Sequence, residues 1–141
     1  TFTAQIPDYW FPVAPGKFAE GAYRIFGGKL TVSVASGGIG MNINRWMGQF
    51  GQASLDEAAL KVLPRIPMAG HEAVLIETTG TFQGRTGPQQ PGQALFGAIA
   101  PIGQQLLVIK FVGPEEALRK ERSNILSFAN SLSFKLEEPR S

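Results

Sequence analysis

The ten residues Asn42-Ile43-Asn44-Arg45-Trp46-Met47-Gly48-Gln49-Phe50-Gly51 gather the side chains best suited to hold a partner. Arginine presents a planar fork of donors that fits a carboxylate or a phosphate. Asparagine and glutamine both donate and accept. Ile43, Trp46, Met47 and Phe50 recur at the spacing of one helical face. That geometry gathers Asn42, Arg45 and Gln49 roughly opposite the apolar face, with Asn44 beside them. The segment reads in two ways. It is a polar recognition stripe, or its amides and guanidinium bond nearby loop carbonyls and fix the helix to a sheet, since buried polar groups find internal partners. Trp46 belongs to the apolar side and reads as core.

Other reactive groups are sparse. His71 is the only histidine, and Glu72 and Glu77 are the carboxylates closest to it in sequence. A zinc site normally takes three or four protein ligands, so no metal is expected. No Gly-x-Ser-x-Gly elbow accompanies a serine. The chain has no cysteine, which removes thiolate chemistry, disulfides and iron–sulfur ligation. Glu115-Glu116 reads as helix-start electrostatics and Glu137-Glu138 as a solvated pair. Gly37-Gly38-x-Gly40 precedes a helix and could cradle a phosphate. It lacks dinucleotide or Walker spacing, and a tight strand-to-helix turn explains it as well. The expectation is a chain without catalytic residues or cofactor, not an enzyme.

Two further segments are candidate contact surfaces. Tyr9, Trp10 and Phe11 form an aromatic group among Pro7, Pro12 and Pro15. They are a docking patch or a cover over one edge of a sheet. Residues 83–93 are rich in Gly, Pro and Gln and carry Arg85. Such a tip orders against a partner or serves as a spacer.

These segments need a scaffold, and the composition supplies one. At 141 residues with 43% hydrophobic content, the chain is one domain able to bury a sizeable core. Residues 1–17 form a proline- and aromatic-rich lead-in and residues 135–141 a charged tail. Net charge is +2, with no run of five basic residues, so nucleic-acid binding has no support. No stretch has the roughly 20 mainly apolar residues of a spanning helix. Thr1 fits a removed leader or a trimmed chain equally.

Alternation and punctuation place the elements. Residues 21–26 and 29–35 read as strands around the Gly27-Gly28 turn. The first helix runs from about Gly38 to Phe50 and stops at Gly51. Ser54-Leu55-Asp56-Glu57 reads as a capping box opening a second helix, which Pro64 and Pro67 end. Residues 73–82, 94–100 and 105–112 read as strands, the last two joined by a hairpin at 101–104. Pro114 with Glu115 and Glu116 opens the last helix. There Leu118, Ile125, Ala129 and Leu132 recur on one side, with Arg119, Lys120 and Glu121 toward solvent. The implied class is α+β, an antiparallel sheet with helices packed on its faces.

The run Leu30-Thr31-Val32-Ser33-Val34, Gly37-Gly38, and Asn42-x-Asn44-Arg45-Trp46-x-Gly48-Gln49 resembles a set of small bacterial secreted proteins and lipoproteins. Their usual core is Asn-x-Asn-Arg-Trp-Arg-Gly-Gln; Met47 stands in place of the second arginine. Phe96-Gly97-Ala98-Ile99, Lys110-Phe111-x-Gly113-Pro114 and Ser131-Leu132-x-Phe134 keep the same order, so the resemblance spans residues 18–134. It implies a PsbP/Mog-like α/β/α sandwich, a layout seen in extrinsic subunits of photosynthetic membrane complexes and in a Ran-binding nuclear transport factor. It also implies a periplasmic or otherwise extracytoplasmic location, with a membrane tether through a removed N-terminal segment.

The expected function is therefore a non-catalytic accessory module. It would dock as an extrinsic subunit on a protein partner in a membrane-associated complex, photosynthetic or electron-transfer in kind. Its contacts would come from Asn42, Asn44, Arg45, Gln49, Arg85, Tyr9 and Trp10. The alternative is a periplasmic small-ligand binder. An anionic or apolar molecule would then lie between the first helix and the sheet, with Arg45 orienting it.

Overall fold

Side chains that alternate between two apolar faces build the centre of this molecule. The computed structural model describes residues 2–17 and 19–134; the expected tail at 135–141, with Glu137-Glu138, lies outside them. The described strands are β1 (Phe2–Thr3), β2 (Phe11–Val13), β3 (Ala19–Ile25), β4 (Gly28–Ala35), β5 (Arg65–Met68), β6 (His71–Phe82), β7 (Gln90–Ile102), β8 (Gln105–Pro114) and β9 (Ser133–Phe134). The helices are α1 (Ile39–Gln49), α2 (Glu57–Lys61) and α3 (Glu115–Ser131). Seven strands make one sheet in the order β2-β3-β4-β8-β7-β6-β5, with every neighbouring pair antiparallel. A separate ribbon joins β1 to β9 through Phe2 opposite Phe134.

Successive strand residues point to opposite sides, and here both sides are apolar. Ala94, Phe96, Ala98 and Ala100 of β7, with Leu107, Ile109 and Phe111 of β8, meet Ile125, Phe128 and Ala129 of α3. The alternate residues Leu95, Ile99, Leu106 and Val108 meet Ile43, Trp46, Met47 and Phe50 of α1. The sheet is thus covered by α3 on one face and by α1 on the other, the α+β sandwich expected from the residues.

The first helix ends as its glycine implies. Phe50 is the C-cap and Gly51 adopts φ +69°. Gln52 N–H donates to Met47 O (2.9 Å) and Gly51 N–H to Gly48 O (3.1 Å). This is a Schellman closure, in which the left-handed residue costs least as glycine.

Several expectations need correction. The second helix is not capped by Ser54. It starts at Glu57, and Asp56 Oδ1 accepts from Ala59 N–H (2.8 Å). The reason lies upstream: Asn44 accepts from Leu55 N–H (2.7 Å) and donates to Leu55 O (3.1 Å), which engages the backbone before a helix can form. Pro114 is the N-cap of α3 rather than part of its first turn, so β8 runs straight into the helix. Glu121 does not face solvent. It is 3% exposed and accepts from Trp10 Nε1 (2.7 Å), the Tyr9 hydroxyl (2.8 Å) and Asn124 Nδ2 (3.4 Å). The glutamine-rich tip is shorter than its composition implies, because β7 begins at Gln90 and leaves 83–89 as the connection. The outer strands β2 and β5 lie where the pattern implies a broken lead-in and a helix stop, because each carries a proline, Pro12 and Pro67. Proline is tolerated on edge strands, where one missing donor breaks no central ladder.

Candidate functional site

Each polar residue of α1 has a distinct position. Asn42 is 1% exposed, with Nδ2 donating to Gly38 O (2.8 Å) and Ser36 O (3.2 Å). It ties the strand-to-helix turn shut. Arg45 is exposed and donates from Nη2 to Asn42 Oδ1 (2.8 Å). Asn44 clamps Leu55. Gln49 is half-buried, and its Oε1 accepts from Lys110 Nζ (3.1 Å). The stripe therefore divides: Asn42 and Asn44 are spent on holding the chain, whereas Arg45 stays at the surface and Gln49 holds Lys110, which lines an open part of the sheet.

That opening exists because α1 covers only half of its face. Gly97 lies directly beneath the helix, where a Cβ would stand 2.8 Å from Trp46 Cζ3. The missing side chain lets the indole settle onto β7. Lys110 is the register partner of Gly97 on β8, and its Nζ lies 5.3 Å from the centre of the Trp46 ring. Such a cation–π contact contributes about 0.5–2 kcal/mol. Burial, and then the nearby Arg45 charge, pull the Lys110 pKa from 10.5 down to about 8.

Beyond Lys110 the face is uncovered. Thr31 opposes Lys110, Lys29 opposes Val112, Arg24 opposes Lys29, and Phe11 opposes Arg24. Of these, Arg24, Lys29, Thr31, Lys110 and Val112 floor a cleft of about 570 Å³, walled by Phe82, Gln90 and Gln93 from the ends of β6 and β7. The volume falls in the range of small-molecule sites, about 300–1,000 Å³. Three cations, Arg24, Lys29 and Lys110, line it, and none of its lining residues is acidic. Among the described residues none of the three meets a carboxylate, whereas Arg65 pairs with Glu72, Arg119 with Glu116 and Arg122 with Glu77 elsewhere.

The expected groove between α1 and the sheet is a different place, and it is closed. Ile43, Trp46, Met47 and Phe50 fill it against Val74, Ile76, Leu95 and Ile99. Any ligand has to lie beside the helix. Arg85 is exposed on the 83–89 connection, between the cleft-lining Phe82 and Gln90. Trp10 is 1% exposed and lies in the α3-side core, with its ring 5.4 Å from Phe128. It has no surface to offer a partner. Tyr9 stays 51% exposed and stacks on Phe26 at 5.6 Å. Its hydroxyl pKa is raised, first by the bond to the Glu121 carboxylate. His71 is exposed at the start of β6. Among the described residues no three His, Asp or Glu side chains converge as a metal site.

Reading residues one by one missed Arg24, Lys29 and Lys110. A signal for Lys110 was present: Leu106, Val108, Lys110 and Val112 share one side of β8, and a lysine interrupts an apolar row.

No family model matches the chain, and none of the curated proteins does. Solved structures do resemble it. The solution structure of cyanobacterial PsbP (CyanoP) from Synechocystis gives a TM-score of 0.57 at 10% identity, over 95% of this chain and 86% of that one. A crystal structure from Bacteroides thetaiotaomicron gives 0.56 at 14% identity over 96% of this chain. The chain spans less than half of that second structure, 46%. The fold is PsbP-like.

Proposed function

We propose that this chain is a non-catalytic accessory module that docks, outside the cytoplasm, on a protein partner within a membrane-associated assembly. The observation that carries this reading is an exposed aromatic group at the β3–β4 end of the sheet. Tyr9, Phe11 and Phe26 are 51%, 67% and 58% exposed. Phe26 holds φ +46°, a left-handed conformation that costs a non-glycine residue about 1–2 kcal/mol. Phe26 and Gly27 (φ +82°) are the two-residue turn between Ile25 and Gly28, whose primed geometry requires a positive φ at both positions. The turn accounts for the backbone, and the exposed rings are what a partner would contact. The PsbP-like architecture and the resemblance to secreted proteins support the accessory role and the compartment. No helix among the described residues is long and apolar enough to cross a membrane, so attachment would come from the partner or a tether. Arg45, Gln49 and Arg85 would extend the contact surface.

The test is association with native membranes, compared between the unchanged chain and Phe11→Ser/Phe26→Gly. The double variant should fold and lose a specific cross-linked protein that the unchanged chain retains. Equal cross-linking by both would remove the aromatic end from the interface.

A further inference from the structure

We infer that the cleft beside α1 binds a small amphiphilic anion, its charged head among Arg24, Lys29 and Lys110 and its apolar body along Phe82 and Val112. Three features lead there together. First, the cations are concentrated beyond what composition requires. The chain has 13 Lys and Arg against 11 Asp and Glu, yet the cleft collects three cations and no acid. Second, Arg24 and Lys29 stand directly opposite each other across β3 and β4. Like charges in that relation are destabilising, and among the described residues neither has a carboxylate partner. A bound anion between them removes the repulsion. Third, Lys110 is half-buried without a counter-charge, held by Gln49 Oε1 and the Trp46 ring. Both hold the ammonium in place without neutralising it.

The same cleft excludes other ligands. A cation meets three like charges. A purely apolar molecule buries Lys29, Arg24 and the two glutamines without partners. A bare inorganic anion satisfies the cations and leaves the Phe82 and Val112 walls unused. An anion with a short hydrocarbon or ring body uses both parts, and about 570 Å³ accommodates it.

The experiment is calorimetric titration of the full chain with octyl phosphate, below its micellar range, beside octanol and inorganic phosphate. Octyl phosphate should bind at one site, at least tenfold more tightly than either of its parts. Arg24→Gln/Lys29→Gln should weaken it at least tenfold. Both residues are exposed, so this variant tests the site without threatening the fold. Raising the pH from 7 to 9.5 should weaken binding further as Lys110 loses its proton. Octanol binding as well as octyl phosphate, unchanged affinity in the double variant, or no binding at millimolar concentration would each overturn the inference. So would binding to phosphatidylglycerol vesicles with none to soluble octyl phosphate, because the anion would then be a membrane surface. The outcome is separable from the docking reading, since that test changes Phe11 and Phe26 and leaves all three cations in place.

Discussion

Lys110 donates to the side chain of Gln49 at 3.1 Å, joining β8, the central strand of the seven-stranded sheet, to the last turn of the helix above it. The contact lies at the helix C-terminus, where the backbone dipole favours a cation. It offsets burial only in part. A pKa lowered from 10.5 to about 8 means that the charged form carries a penalty of roughly 3 kcal/mol in the folded state. Below pH 8 that penalty is fully present. Between about pH 8 and 10.5 the unfolded chain holds more protons on this group than the folded chain, so its contribution to stability rises with pH. Lys110→Met should therefore stabilise the protein near pH 7, by about 1–2 kcal/mol after losing the Gln49 and Trp46 contacts. The gain should shrink toward pH 10.5. Denaturant melts at several pH values measure it.

Arg45→Ala tests the second cause of that shift. Removing a nearby like charge should raise the Lys110 pKa toward its ordinary value. It also takes away the donor to the buried Asn42 Oδ1, at about 1 kcal/mol of stability. Titration of the Lys110 ε-carbon by NMR reads the first effect and thermal melting the second.

Phe26→Gly should raise stability. Glycine adopts φ +46° freely, and the gain of about 1 kcal/mol exceeds what the Tyr9 stack contributes at an exposed site. A variant that is more stable yet poorer at partner association would mark the Phe26 ring as part of the contact. Chemical denaturation, run beside the cross-linking assay, gives both readings.

Gly97→Ala should act at two places. Its Cβ would stand 2.8 Å from Trp46 Cζ3 and 3.1 Å from Ile76 Cγ2. The indole has to move, at about 1–3 kcal/mol for an overpacked core. Because Lys110 rests on that ring, a shift in Trp46 fluorescence should accompany altered titration of the lysine.

Glu121→Leu should cost about 2–4 kcal/mol, since it leaves Trp10 Nε1 in the core and the Tyr9 hydroxyl without their acceptor. Glu121→Gln keeps one acceptor oxygen and should lose less. Urea melts of the two variants rank them.

The difference between what was legible and what was not follows sequence distance. The α1 face was readable because Ile43, Trp46, Met47 and Phe50 lie within eight residues and follow one period. The β4, β6 and β8 runs were readable for the same local reason. Asn44 and Asp56 misled, because the amide that seizes Leu55 acts 11 residues away. Glu121 read as a solvent-facing charge, because the Trp10 and Tyr9 donors that bury it lie 111 and 112 residues distant. The cleft was least visible of all. Arg24 and Lys29 join Lys110 only through β4 pairing with β8, a neighbour relation that no local pattern encodes.

Pro12 and Pro67 occupy the two outermost strands. A growing stack of chains needs a continuous row of donors on its free margin, and each proline interrupts that row. Filament formation and recognition by an incoming strand are thereby disfavoured on both flanks. Association of this protein has to be face-on, through side chains, and it should stay dispersed at concentrations where sheets with unbroken margins begin to assemble.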